Sequence, residues 1–209
     1  EQIVYDVLAN TQDMNIIEKP EPEDTPFYIN NGTINVGNTN GKVILQTFSL
    51  ESLVRVAEVF QGKVPMCFLL WKGTGATDLT YDDPLGYASF INLGVKYKAH
   101  FIGPCIAGAP NDYPELDQPW QDYLIHRAKM KNHPYTFDTY DQMAKYFGQY
   151  NFGVADGMFN PPYLDALFTN HSDMSINYMI THGWRKSPAS QTLVDAREVL
   201  RKLGYLDNN

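Results

Sequence analysis

The sequence predicts an α/β fold with a parallel sheet, and two observations lead to this prediction. From Gly41 onward, short apolar segments alternate with segments whose apolar residues recur at helical spacing, which is typical of successive strand–helix units. The segment from Val64 to Trp71 is an apolar run, as expected of a strand that is buried on both faces of a parallel sheet.

The composition is that of a folded domain. The chain has 209 residues, of which 44% are hydrophobic and 19% are charged. Its net charge of −8 disfavours a nucleic-acid partner, because the phosphate backbone is itself negative. No apolar run approaches the roughly 18–20 residues that a transmembrane helix needs, so no transmembrane segment is predicted.

Five strands are predicted, each followed by a helix. The strands are 42–48, 64–71, 99–106, 133–137 and a last one at either 154–160 or 166–170. The helices are 50–60, a short stretch ending at Val95, 120–130 with Asp117 as its N-cap, 140–147 and 172–181.

The two ends of the chain fit this alternation less well. Residues 1–40 predict an irregular segment, acidic and proline-rich around Glu18 and then rich in Asn and Gly, in which a remnant of a further strand is one interpretation. Residues 41–183 carry the alternating pattern. Residues 184–209 predict a C-terminal helical extension. Cys67 and Cys105 lie within predicted strands, so we expect buried thiols, with a disulfide open if the strands are neighbours.

Three segments resemble, in order and spacing, parts of the glycerophosphodiester phosphodiesterase family. They are Val43-Ile-Leu-Gln-Thr-Phe-Ser-Leu-Glu-Ser-Leu53, Asn132-His-Pro-Tyr-Thr-Phe-Asp138, and Asp156-Gly-Met-Phe159 with Phe168-Thr-Asn-His-Ser-Asp173. The resemblance covers about Lys42 to Met179.

The resemblance implies a TIM-type (β/α)8 barrel. On that template the predicted strands are strands four to eight, so the barrel lacks its first two or three strands in this chain, and we expect those strands upstream of Glu1. A barrel opened in this way exposes two sheet edges. We therefore expect either self-association or a retained N-terminal fragment.

The resemblance also implies a chemistry. The family uses two histidines as general acid and base and carboxylates that hold a divalent cation, Ca²⁺ or Mg²⁺, which offsets the charge of the phosphodiester. Its His-Arg-Gly motif does not occur in these 209 residues, and neither does a Glu-x-Asp motif followed by His-Asp. The nearest match to its Glu-x-Lys motif is Glu18-Lys19, in which adjacent side chains would point to opposite faces of a strand. Glu18 is thus a candidate metal ligand, and a loop carboxylate is the alternative.

Three residues are candidates for binding substrate. Gln46 ends a predicted strand, where barrel active sites are built, and either contacts a substrate oxygen or caps the core. Tyr135 matches a family aromatic residue that packs against the glycerol, and core filling is its alternative. Phe168 competes with Phe159 for the phenylalanine of the last motif. His133 is expected to be structural.

Three functions follow. The first is a phosphodiesterase that hydrolyses a glycerophosphodiester to glycerol phosphate and an alcohol, if the missing N-terminal half is supplied. The second is a non-catalytic barrel fragment that serves as a binding or structural module. The third is a glycoside hydrolase-like barrel, which requires two facing carboxylates at strand ends. No such pair is evident at the predicted strand ends.

Overall fold

The computed structural model describes residues 1–10, 43–62, 64–71, 83–149 and 164–182, together with residues 200, 201, 204 and 206. In these ranges it is an α/β structure with six α-helices and a four-stranded parallel sheet. The α/β class predicted from the sequence is confirmed. Glu18 and the predicted strand position 154–160 lie outside the described residues, as do most of the predicted terminal extension and of the segment 1–40.

The sheet follows chain order. Its strands are β1 (Leu45–Thr47), β2 (Met66–Leu70), β3 (Phe101–Pro104) and β4 (Lys131–Asn132), and each pairs in parallel with the next. The first three fall inside the predicted strands and are shorter than predicted.

The fourth predicted strand, 133–137, is displaced. Regular pairing lies at Lys131–Asn132 and is followed by a parallel bridge between Cys105 and Tyr135. The backbone N–H groups of His133 and Tyr135 still donate to β3, at 2.9 and 3.0 Å. Pro134 between them has no N–H to donate, and a proline interrupts a ladder for this reason.

A fifth extended segment, 164–169, lies beside β4. The backbone N–H of Ala166 donates to the carbonyl of Asn132, and that of Phe168 donates to the carbonyl of Pro134 at 2.9 Å. Phe137 N–H donates in return to Phe168 at 2.8 Å. These bonds favour 166–170 as the position of the predicted last strand.

Helices connect the strands and begin where the sequence provides caps. They are α1 (Gln2–Asn10), α2 (Leu50–Phe60), α3 (Pro84–Lys96), α4 (Pro119–Arg127), α5 (Tyr140–Ala144, continued by a π-helical turn Lys145–Gln149) and α6 (Ser172–Thr181). The Ser49 hydroxyl accepts from the N–H of Ser52 at the start of α2, as an N-cap does.

Two helical predictions need correction. The cap of α4 is Gln118 rather than Asp117, because the Asp117 side chain is buried and bonded to Asn132 instead. Helix α1 forms where the sequence predicts irregular structure. Its Tyr5 ring packs edge-on against Phe60 of α2, and Glu1 pairs with Arg55 at 2.9 Å. Tertiary packing of this kind stabilises a short helix of modest propensity.

The two faces of the sheet have different neighbours. Phe68 and Ile102 point toward the helices, where Phe68 stacks on Phe90 of α3 with ring centroids 4.4 Å apart. On the other face, a Cβ at Gly103 would lie 2.6 Å from Leu69 Cδ2 and 2.9 Å from Cys67 Sγ. Only glycine fits there, so the side chains of that face close tightly over β3.

Cys67 and Cys105 are both buried free thiols. The predicted burial is confirmed, and the disulfide alternative is not formed although the two residues lie on adjacent parts of the sheet. Burial raises the pKa of Cys105 to about 12. Across the helices of the described ranges, none combines the length and apolar character that a membrane span requires.

Candidate functional site

A pocket of about 250 Å³ opens at the carboxyl end of the sheet. Its lining comprises Gln46, Phe48, Leu69, Tyr135, Thr136, Phe168, Thr169 and Asn170. The three substrate-binding candidates from the sequence are therefore brought together in one cavity. This end of a parallel sheet is where ligands bind in α/β folds, because the loops that follow the strands meet there.

The pocket also shows that the sheet is strongly curved. Gln46 lies on β1, whereas Phe168 lies beside β4, and neighbouring strands are spaced by about 4.8 Å. In a flat sheet those two segments would be roughly 19 Å apart. That both line one 250 Å³ pocket means that the sheet is concave on this face.

Tyr135 is anchored at the mouth of the pocket. Its hydroxyl donates to the backbone carbonyl of Leu70 at 2.9 Å, and its ring packs edge-on against Phe48 and Tyr113. Burial raises the pKa of Tyr135, so the phenol stays neutral and acts as a donor. The hydroxyl ties the end of β2 to the residues after β4, and the ring forms a wall.

Removing only the Tyr135 hydroxyl should separate the hydrogen bond to Leu70 from the role of the ring as a wall of the pocket. We expect Tyr135→Phe to lower the free energy of unfolding by about 1–2 kcal/mol, because the buried Leu70 carbonyl loses its donor. Urea denaturation measures this loss. Tyr140→Phe is the matched control because Tyr140 is 55% exposed, and it should change stability by less than about 0.5 kcal/mol. Equal effects from the two variants would contradict the anchoring role.

Gln46 is exposed at the pocket. Among the described residues its side-chain amide has no hydrogen-bond partner. An amide carries both a donor group and an acceptor, so it can meet either an oxygen or a hydroxyl of a ligand.

Phe168 closes the opposite wall. Its ring lies 4.0 Å from the imidazole of His133, which also packs edge-on against Phe101. Burial lowers the pKa of His133 to about 4, so this histidine is a neutral ring within an aromatic stack. That environment agrees with its expected structural role.

Asp138 fixes the rim of the pocket, a role that the sequence did not reveal. One carboxylate oxygen accepts from the backbone N–H of Asn170 at 3.0 Å, and the other accepts from the side chains of Asn170 and Asn111, each at 3.2 Å. The carboxylate thus orients Asn170 at the cavity. The signal that could have found this link is that Asp138 ends one of the matching segments and Asn170 lies within another.

The described residues do not fit a cation site. In the ranges that the structure describes, no group of three or more His, Cys, Asp and Glu side chains is arranged to hold a metal ion. Glu18, the ligand that the resemblance suggests, lies outside those ranges.

A second polar cluster lies at the amino end of the sheet. Asn132 on β4 donates from its side-chain nitrogen to Asp117 Oδ1 and to Asp122 Oδ1, each at 2.9 Å, and all three residues are fully buried. Burial raises the pKa of both carboxyls, and for Asp117 the nearby Asp122 charge raises it further. The shared amide thus joins β4 to α4 and to the residue that precedes its cap.

His126 extends this cluster to the surface. Its Nδ1 lies 3.2 Å from the Asp122 carboxylate, and its Nε2 lies 2.8 Å from Asp165 Oδ2. Asp165 also accepts from the backbone N–H of Asn132 and from Lys131. The histidine therefore bridges α4 to the extended segment that follows β4.

Comparison with known proteins adds no assignment. No model of a known protein family matches the chain, and no curated protein is similar to it in sequence.

Proposed function

We propose that the chain forms the substrate-facing part of a glycerophosphodiester phosphodiesterase-like barrel and binds a glycerophosphodiester in the pocket at the carboxyl end of its sheet. The observation that carries this proposal is the convergence of Gln46, Tyr135 and Phe168 on one cavity. These residues were chosen from a resemblance between segments that lie far apart in the sequence. The ends of parallel strands face one edge of the sheet in any α/β fold, and the resemblance adds that these three side chains belong to the substrate site.

The architecture supports the barrel. Four parallel strands in chain order, with helices between them and a fifth extended segment beside β4, have the order expected of consecutive (β/α) units. A barrel closes around the concave face of its sheet, and its interior is filled by side chains. Here the concave face holds the tightly packed side chains around Gly103, so the curvature has the direction that closure requires. The barrel itself remains part of the proposal.

The residues of the pocket would bind and orient the ligand. The Gln46 amide would hydrogen-bond a phosphate or glycerol oxygen, and the rings of Tyr135 and Phe168 would pack against the carbon skeleton. Hydrolysis in that family needs a His-Arg-Gly motif and a Glu-x-Asp motif followed by His-Asp, and neither of these occurs in the 209 residues. We therefore assign binding to this chain, and catalysis to a polypeptide that also carries those motifs.

The outer edge of β1 favours a partner. In the described ranges, β1 pairs only with β2, so its other edge can accept a further strand. We propose that an N-terminal piece of the barrel or a second copy of the chain covers it.

The second candidate function is a non-catalytic binding module. It would use the same pocket and would differ from the phosphodiesterase only in lacking the catalytic motifs. A glycoside hydrolase is disfavoured, since no carboxylate belongs to the described pocket lining.

Gln46→Glu tests the proposed binding. The substitution keeps the shape of the side chain but places a negative charge against an anionic phosphodiester. We expect affinity for glycerophosphoglycerol to fall about tenfold, or about 1.4 kcal/mol, as measured by isothermal titration calorimetry. Asn92→Asp adds the same charge on an exposed position of α3 and should leave affinity unchanged. If Gln46→Glu binds as the wild type does, or if the wild type binds no glycerophosphodiester, the proposal fails.

A further inference from the structure

Two buried oxygen atoms in the polar cluster around Asn132 have no hydrogen-bond donor among the described residues. They are Asp117 Oδ2 and Asn132 Oδ1, and both side chains are fully buried. The other Asp117 oxygen accepts from the Asn132 side-chain nitrogen at 2.9 Å. We call these two residues the acid–amide pair. Both unpaired oxygens are acceptors in the ordinary charge states of the side chains, and burying an acceptor without a donor destabilises a fold.

A second buried acid shares the same amide. Asp122 Oδ1 also lies 2.9 Å from the Asn132 nitrogen. The oxygens of the two acids are therefore less than about 6 Å apart, a distance at which like charges disfavour each other in a buried site. The amide gives each acid one hydrogen bond but carries no charge. Keeping both acids in the interior therefore requires cations or a proton.

The nearby cations are bound to Asp122 and Asp165 rather than to Asp117. His126 lies 3.2 Å from Asp122 and 2.8 Å from Asp165, and Lys131 lies 3.2 Å from Asp165. Burial alone would lower the pKa of His126, but its bonds to these two acids raise it to about 10, so it is a cation at neutral pH. Two cations thus face two carboxylates, and this set is neutral without Asp117.

The other titratable groups around Asp117 provide no compensating charge. Glu115 accepts from the Asp117 backbone N–H at 3.2 Å, and it is itself paired with Lys145 at 2.7 Å. Tyr87 of α3 directs its hydroxyl to the Leu116 carbonyl at 2.9 Å. An ionised Asp117 would add one uncompensated negative charge to the interior, and such a charge is far less favourable there than a neutral acid.

We propose that Asp117 holds a proton on Oδ2 at neutral pH, and that the acid–amide pair thereby makes the junction of β4 with the start of α4 sensitive to pH. The acid O–H is directed to Asn132 Oδ1, so that both unpaired oxygens gain a hydrogen bond. Burial and the charge of Asp122 raise the pKa of Asp117, which agrees with a retained proton. This inference is independent of the ligand that occupies the pocket.

The retained proton fixes the direction of a pH dependence. In the unfolded chain an aspartate releases its proton above about pH 4, whereas folded Asp117 keeps it. Stability is therefore lost as the pH rises from about 4 toward the raised pKa of the folded state. Asparagine has the shape of the protonated acid and no proton to lose, so Asp117→Asn should not show this loss.

Urea denaturation of Asp117→Asn tests this direction. We expect its folding equilibrium constant at pH 7 to exceed that of the wild type by about tenfold or more, and the ratio to shrink by up to about tenfold per pH unit as the pH is lowered toward 4. Asp112→Asn makes the same change at an exposed position of the same loop and should match the wild type throughout. A variant that is less stable than the wild type at pH 7 would overturn the proposal, because an ionised Asp117 loses a charge-assisted hydrogen bond on this substitution.

Infrared spectroscopy detects the proton in the wild type itself, so the test does not depend on the folding of a variant. A protonated carboxyl group has a carbonyl stretching band at higher frequency than carboxylates and amides, and exchange into D2O lowers that frequency. We expect this band at pH 7 in the wild type and in Asp112→Asn, and its loss in Asp117→Asn. No band in the wild type would overturn the proposal and would indicate a carboxylate that accepts from a buried water. A band that persists in Asp117→Asn would place the proton on another acid and would overturn it as well.

Discussion

Replacing Asn132 with leucine should lower the free energy of unfolding by about 3–5 kcal/mol, because two buried carboxylates would lose the amide that they share. The Asn132 nitrogen donates one hydrogen to Asp117 and the other to Asp122, and neither carboxylate is exposed to solvent. Leucine has a similar volume, so the loss would reflect unpaired polar groups rather than a cavity. Chemical denaturation at neutral pH measures it.

Two further variants sharpen this expectation. Asn177→Leu makes the same change at an exposed position of α6 and should cost less than about 0.5 kcal/mol. Adding Asp117→Leu to the Asn132→Leu background should recover part of the loss, since it removes the buried Asp117 carboxyl group that has lost its amide donor, whereas Asp122 keeps its contact with His126. If Asn132→Leu costs no more than Asn177→Leu, the amide does not stabilise the two acids.

This cluster illustrates what local sequence patterns leave out. Asp117 precedes Pro119, a spacing that predicts a helix cap, yet its side chain bonds to Asn132. That partner lies fifteen residues later and becomes a neighbour only when β4 joins the sheet. A helix cap is a local interaction that residue spacing can predict. A contact between residues separated by a whole helix, such as Asp117 and Asn132, depends on tertiary packing.

The elements that were predicted well are those fixed by local periodicity. Helices α2 and α6 have the predicted bounds. For α2, the apolar spacing and the N-cap Ser49 agree. The fourth strand was displaced because Pro134 interrupts its ladder, which the apolar pattern does not encode. The predicted barrel depends on long-range closure, and the described residues show four parallel strands and their curvature.

The residues of the candidate site also divide into those that the sequence pattern predicts and those whose positions depend on tertiary structure. Gln46 and Tyr135 could be chosen from the sequence because strand ends in a parallel sheet face one edge. Trp71 also follows a strand, but its contacts with the rings of Phe48 and Tyr113 depend on the curvature of the sheet. Tyr113 lies in a long loop, for which the sequence provides no periodicity.

The stability of the wild type should fall as the pH rises from about 6.5 toward 10, and His126→Gln should remove much of this dependence. Burial alone would lower the pKa of His126, but the hydrogen bonds and charges of Asp122 and Asp165 outweigh it and raise the pKa from 6.5 to about 10. The folded state then binds a proton across that interval which the unfolded state has released. Stability therefore decreases with rising pH in this window.

The size of this pH dependence is set by how strongly solvent screens the interaction of His126 with Asp122 and Asp165. The full shift would correspond to roughly 5 kcal/mol, but the His126 side chain is 33% exposed. Screening should reduce the contribution to about 2 kcal/mol. Urea denaturation of both proteins at several pH values from 6 to 10 gives the difference between them. That difference is the relevant quantity, because Asp117 and Asp122 contribute their own dependence to both profiles.

Asp165, one of the two carboxyl partners of His126, affects stability in a different pH range. Burial works to raise the pKa of Asp165, but its bonds to His126 and to the Asn132 backbone, with the charge of Lys131, lower it. Asp165 thus adds stability only above its ordinary range, near pH 4, and does not alter the alkaline window. His171→Gln, which changes an exposed histidine just before α6, should keep the wild-type profile. Parallel profiles for the wild type and His126→Gln would show that the bridge between α4 and the segment after β4 carries no net charge interaction.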